Sequence, residues 1–192
     1  MVIYRWKNPT NKKGANKFFL GCILNYQRPA EEAWEVAKNY AEHICGDPEN
    51  LWDEIVKISL DQWNKQEYKL HPNFYGHQNV WKIGKRIVEQ YNGDVRKSWL
   101  NHSPNKIISN IFTLFDKKPT DIAKLPRLVL GGLQDTQQIA EFQLDLAPDT
   151  HIRKVLGRVV YGIDKLSVKG ALELSRKLYP KNPWRLDAEL YL

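Results

Sequence analysis

Apolar residues recur along this chain every three or four positions, and no stretch keeps the two-residue alternation of a strand. After Pro29, Ala30, Ala33, Trp34, Ala37, Ala41 and Ile44 fall on one face of a predicted helix. Val80, Gly84, Ile87, Val88 and Tyr91 mark a second helix, stopped by Asn92-Gly93. Ser103-Pro104 reads as an N-cap with proline in the first turn, opening a helix that buries Ile107, Ile108, Ile111, Phe112 and Phe115. Ile152, Val155, Leu156, Val159 and Val160 make the most regular stripe, ended by Gly162. Ala171, Leu174 and Leu178 mark a late helix before Pro180. Two stretches lack a clear period. Residues 60–79 contain Pro72 and Gly76 among aromatic and polar side chains and are expected to be mostly loop. Residues 125–148 contain Pro126, Gly131 and Gly132, with a weakly patterned helix expected from about 133 to 143. The fold class is all-α, a bundle of about eight to ten short helices.

At 192 residues the chain has room for one domain or two small lobes, with a core that needs no disulfide or metal staple. Cys22 and Cys45 both lie in helical stretches and read as reduced, buried thiols. His71 and His77 do not complete a zinc-ligand spacing, so no metal is expected. No Gly-rich nucleotide loop and no Gly-x-Ser-x-Gly elbow occurs. The N-terminus has no apolar signal core, and no run approaches the roughly 18 apolar residues of a membrane span. A cytoplasmic protein without membrane partners is therefore expected, with monomer as the default state.

Charge adds a further constraint. The net charge is +7 and the isoelectric point is about 9.3. Residues 1–30 hold Arg5, Lys7, Lys12, Lys13, Lys17 and Arg28 and no acidic residue. Segment 81–97 adds Lys82, Lys85, Arg86, Arg96 and Lys97 against Glu89 and Asp94. Such clusters favour polyanions, because binding releases counterions condensed on phosphates. A solvated basic surface with no ligand has the same charge pattern.

The segment Pro148-Asp149-Thr150-His151-Ile152-Arg153-Lys154-Val155 carries the candidate chemistry. Asp149 opens a strongly amphipathic helix, where the positive end of the helix dipole favours a carboxylate. A plain N-cap aspartate satisfies the same pattern. This run resembles the Asp-Thr-His motif of the helix-hairpin-helix DNA glycosylases, endonuclease III branch. Phe18-Phe19-Leu20-Gly21-Cys22-Ile23-Leu24-Asn25-Tyr26-Gln27 is similar to an early helix of that family. Tyr91-Asn92-Gly93-Asp94 with Trp99 is similar to a middle helix boundary, and Asn182-Pro183-Trp184-Arg185-Leu186-Asp187 to a closing segment. The resemblance implies a two-lobed helical bundle, one lobe at about 30–130 and the other formed by 1–29 with 131–192.

The departures matter as well. Family hairpins read Leu-Pro-Gly-x-Gly, whereas Leu125-Pro126 is followed here by Arg127-Leu128-Val129-Leu130-Gly131-Gly132. Phosphate contacts are then expected from Lys124, Arg127 and the amides near Gly131 and Gly132. Bifunctional members place a lysine eighteen residues before the aspartate, and that position is Gly131. Without an amine there, no Schiff base forms at that site. Two cysteines also cannot supply the four-cysteine iron–sulfur loop of many relatives, so no cofactor is expected.

The resemblance implies a monofunctional N-glycosylase of base-excision repair, acting on double-stranded DNA. The target nucleotide would flip into a pocket, and Asp149 would stabilise the cationic sugar, activate water, or both. Tyr26, Trp34, Phe74 and Tyr75 are the candidate base-stacking residues, although aromatics at helical spacing also build cores. Gln27 is the candidate for the gap left in the stack. His151, Arg153 and Lys154 are candidates for phosphate contact. Two alternatives stand beside this reading: a non-catalytic DNA-binding module on the same scaffold, and a glycosylase/lyase whose lysine is displaced to Lys124 or Lys154.

Overall fold

A computed structural model describes residues 9–25 and 29–190. Every regular element among them is helical. The chain divides into two compact units, with the division at Lys117/Lys118.

The first unit is built on α1 (Lys12–Leu24), whose N-cap Asn11 accepts from the Gly14 amide. Phe18, Phe19, Leu20, Cys22, Ile23 and Leu24 are all buried, so this helix is hydrophobic on almost every side and forms the centre of the unit. α2 (Ala30–Asn39) packs along it and runs on through a π-helical turn, Tyr40–Ile44. Close approach depends on Gly21. A Cβ there would lie 1.6 Å from the Trp34 ring, which stacks on Phe18 with centroids 6.2 Å apart. Trp34 is thus a core residue and not part of a base pocket.

α3 (Leu51–Val56) and α4 (Leu60–Lys65) pack on α5 (Phe74–Tyr91), and α6 (Pro104–Leu114) follows a 3-10 turn at Val95–Ser98. The expected helix stop is present: Asn92 takes a left-handed φ of 52° and Gly93 one of 70°. Ser103 occupies the cap position of α6 without a side-chain cap bond. Residues 60–79 differ from expectation, because they contain α4 and the start of α5. The reason is a capping box, in which the Ser59 hydroxyl accepts from the Gln62 amide and the Gln62 side chain accepts from the Ser59 amide.

The second unit contains α7 (Lys124–Asp135), α8 (Thr150–Leu156), α9 (Val168–Leu178) and α10 (Leu186–Leu190). Leu146, Ile152, Leu156, Leu166, Ala171 and Leu174 form its core. The helix expected at 133–143 lies earlier in the chain, as α7. Pro126 falls in the first turn of that helix, where its missing N–H has no intrahelical partner to lose. The stripe through Val160 also breaks. The helix turns π-helical over Gly157–Tyr161, and the extra residue in the turn rotates the side chains after it by about 100°. Val159 is 79% exposed, and Val160 and Tyr161 are also exposed. Helix α1 lies in the first unit, whereas the sequence grouped residues 1–29 with the C-terminal lobe.

Candidate functional site

Asp149 is the N-cap of α8. Its Oδ1 accepts from the Ile152 amide at 3.0 Å, and its Oδ2 lies 3.1 Å from Lys124 Nζ. The two carboxylate oxygens therefore do different work, one fixing the helix start and the other holding an ammonium. The side chain is 23% exposed, so it is neither sealed in the interior nor fully solvated.

Lys124 reaches Asp149 because α7 begins there. The loop before α7 is secured from within by Arg127, which is buried and donates to the carbonyls of Asp121 (2.7 Å) and Ala123 (3.2 Å). Burial pushes its guanidinium pKa down. Arg127 thus holds the entry to the helix, and the expectation of a phosphate contact from it is corrected. Gly131 and Gly132 are likewise corrected: both lie inside α7, where backbone amides belong to the helical ladder and no turn exposes them to an anion. A Cβ at Gly131 would stand 1.8 Å from the Trp184 indole, so the position eighteen residues before Asp149 is closed to any side chain.

Trp184 belongs to a segment that folds back along α7. Buried Asn182 donates to Gln134 Oε1 (2.8 Å) and Glu141 Oε1 (2.9 Å) and accepts from the Leu144 amide (3.3 Å). Arg185 bridges to Asp135 at the far end of α7, at 2.6 Å. These ties launch α10, which packs on α8; the His151 ring nitrogen Nε2 meets the Leu190 carbonyl at 3.1 Å. Half-buried Asp187 on α10 is thereby brought into the field of Lys124 and Asp149. Burial first, then Asp149 and Asp135, push its carboxyl up to about 7, while Lys124 opposes them.

The other expected site residues are spread over both units. Exposed His151 is drawn to Leu190. Half-buried Arg153 donates to the Leu166 carbonyl at 2.8 Å, and Lys154 is half-buried. Phe74 and Tyr75, in the first unit, are 53% and 69% exposed and meet edge to face with centroids 6.1 Å apart. Tyr26 and Gln27 lie outside the described residues. Sequence reasoning did not single out Asp187, whose carboxyl burial pushes up to about 7. Its only signal was its place in the Asn182–Asp187 run.

The basic clusters are partly consumed by internal pairing. Lys17 bridges Glu42 at 2.6 Å, Arg96 pairs with Asp94, and Arg86 donates to the Leu114 carbonyl. His71 and His77 are core residues. The His77 ring stacks on Trp63 at 4.7 Å, and each of the two rings bonds to the other residue's backbone carbonyl at 2.9 Å. Among the described residues no group of three His, Cys, Asp or Glu side chains is placed to hold a metal ion. No helix among them is long and apolar enough to cross a membrane. Compared with protein-family models, with curated proteins and with solved structures, the chain matches none.

Proposed function

We propose that this protein is a monofunctional DNA N-glycosylase in which Asp149 is the catalytic carboxylate. The observation that carries the reading is the fixed, partly exposed Asp149 side chain, held by the Ile152 amide on one oxygen and by Lys124 on the other. Rupture of an N-glycosidic bond builds positive charge at C1′ of the sugar. A pre-oriented carboxylate stabilises that charge without reorganising, and takes the proton of the water that attacks C1′. The proton then leaves with the departing base, so the net reaction is hydrolysis.

A second reading has its own support, because the Lys124 ammonium lies 3.1 Å from Asp149. A lysine that passes its proton to that carboxylate becomes an amine able to attack C1′ as the glycosidic bond breaks; the base leaves with the proton held on Asp149, the sugar ring opens at C1′–O4′ to give the Schiff base, and β-elimination from it cleaves the strand. The two readings separate in one experiment. Duplexes carrying uracil, hypoxanthine, 8-oxoguanine, 3-methyladenine or a G·T mismatch are incubated with the full chain and with Asp149→Asn, with and without borohydride. Alkali-labile sites from the native chain alone, with no trapped adduct, are expected. A borohydride adduct lost in Lys124→Met establishes the lyase instead, and no base released from any duplex refutes both.

A further inference from the structure

We propose that the groove between the π-helical turn after α8 and helix α9 is a docking site for an acidic amphipathic helix of a partner protein. The groove belongs to the second unit alone, and its use is independent of the reaction assigned to Asp149, which caps the other end of α8.

The groove has a volume of about 400 Å³. Buried Leu166 and Leu174 form its floor, exposed Tyr161 and Ile163 line it from the turn, and Glu173 and Lys177 line it from α9. Gly170 keeps it open. A Cβ there, apart from its chain neighbours, would approach only the Ser167 hydroxyl (3.1 Å) and Leu166 (3.7 Å). Leu166, Gly170 and Leu174 are spaced four residues apart, so the apolar floor runs as a row along α9. A row of this kind is the shape that a second helix fills with its own ridge of side chains.

The wall formed by the turn is built before any partner arrives. Gly157 lets the chain fold back on α8, since a Cβ there would lie 3.1 Å from the Ile163 carbonyl oxygen and the Leu166 nitrogen. The Ile163 amide donates to the Gly157 carbonyl (3.2 Å) and the Leu166 amide to the Arg153 carbonyl (3.0 Å). Arg153 Nε returns a bond to the Leu166 carbonyl at 2.8 Å. Tyr161 and Ile163 are therefore held at 57% and 46% exposure by a fixed backbone. Apolar side chains kept in water by a rigid frame lose little freedom when they are covered.

Charge selects the occupant. Residues 150–181 hold eight Lys or Arg against Asp164 and Glu173, an excess of six within the chain's net +7. Both acids are already matched, Asp164 by Arg158 at 2.6 Å and Glu173 by Lys169 at 3.8 Å. Lys177 in the groove wall and Lys165 beside Leu166 make no ion pair among the described residues. A second copy of this face would set like charges against each other. A duplex would satisfy the cations and leave the leucine floor in water. An anionic bilayer offers charge and hydrocarbon but no ridge to enter the groove. An acidic helix with an apolar ridge satisfies floor and rim together.

The test is a display selection on the immobilised full chain, from a random library of about 16-residue peptides, roughly four helical turns. Selected sequences are expected to carry apolar residues at i, i+3 or i+4, and i+7, with Asp and Glu in excess. A synthetic peptide of the leading sequence should shift the amide resonances of Ile163, Gly170 and Leu174. Gly170→Leu fills the groove with a residue that favours helix, and should weaken the peptide by at least about tenfold. Tyr161→Ser, at an exposed position, should do the same and covers the case in which Gly170→Leu disturbs α9. Lys165→Glu with Lys177→Glu should cost about tenfold and flatten the salt dependence. The proposal is overturned by a selection without enrichment, by enriched peptides that are basic or unpatterned, or by a peptide that Gly170→Leu and Tyr161→Ser bind as well as the native chain. It is also overturned if a DNA duplex or a phosphatidylserine vesicle shifts those three resonances and no selected peptide does.

Discussion

At the scale of single residues, several side chains have environments that dictate what a change would do. Gly131 is the clearest case. A methyl group there would overlap the Trp184 indole at 1.8 Å, and that indole cannot move without loosening the segment leading to α10. Gly131→Ala should destabilise by about 1–3 kcal/mol, the usual range for overpacking. Thermal unfolding measures it, and an unchanged midpoint would show that Trp184 repacks freely. His77 makes a pH prediction. Its Nε2 is committed to the Trp63 carbonyl, and its buried Nδ1 has no hydrogen-bond partner. Protonating Nδ1 would bury a charged N–H with no acceptor, and burial holds the ring pKa below its ordinary value. A depressed folded pKa means stability that is present above the unfolded value, about 6.5, and lost as pH falls below it. Urea unfolding from pH 7.5 to 5 should show this decline, and His77→Gln should flatten it. Asp187 has the opposite sign. Its raised pKa contributes stability below the unfolded value, lost as pH rises through about 7. Asp187→Asn should therefore melt near the native temperature only below about pH 4, the unfolded carboxyl value, and progressively higher than the native chain from there to neutral pH, by several degrees near pH 8, since about 1 kcal/mol shifts a chain of this size by roughly 2–4 °C.

At the scale of elements, local signals explain what the sequence showed and what it hid. Helices with an uninterrupted apolar stripe and a left-handed stop, such as α5, are legible because burial and chain reversal are both encoded within a few residues. α4 was written just as locally, in Ser59 and Gln62, but the aromatic and polar residues after it obscured the capping box. Ser59→Ala should cost about 1 kcal/mol, read as a lower denaturant midpoint with an unchanged slope. α7 was misplaced because Pro126 and the glycine pair carry two meanings. Proline breaks a helix only beyond its first turn, and Gly131 is set by a tryptophan far along the chain. The π-helical turn after α8 has no sequence mark we can identify, yet it turns Val159 to solvent. The cap role of Asp149 was legible, since an aspartate just ahead of an amphipathic stripe marks a helix start. Arg127, Gly131 and Asp187 were not, because their roles depend on contacts between elements distant in the chain.

At the scale of the whole molecule, charge governs association and one carboxylate governs the proposed reaction. A net charge of +7 favours association with a polyanion, but Lys17, Arg86 and Arg96 are already engaged within the fold. Fewer cations are therefore available to phosphates than the sequence counts, and duplex binding should be salt-sensitive with a correspondingly modest slope of log affinity on log salt. The decisive experiment is single-turnover base release by Asp149→Asn on the duplex the native chain processes best, at a protein concentration where both bind it equally. The asparagine keeps the size of the side chain and an oxygen for the Ile152 amide while removing the charge. A loss of at least about 100-fold in the rate of base release, with duplex affinity retained, is the predicted result for a group that acts on the transition state. A variant that releases base as fast as the native chain would reduce Asp149 to a helix cap and overturn the glycosylase mechanism.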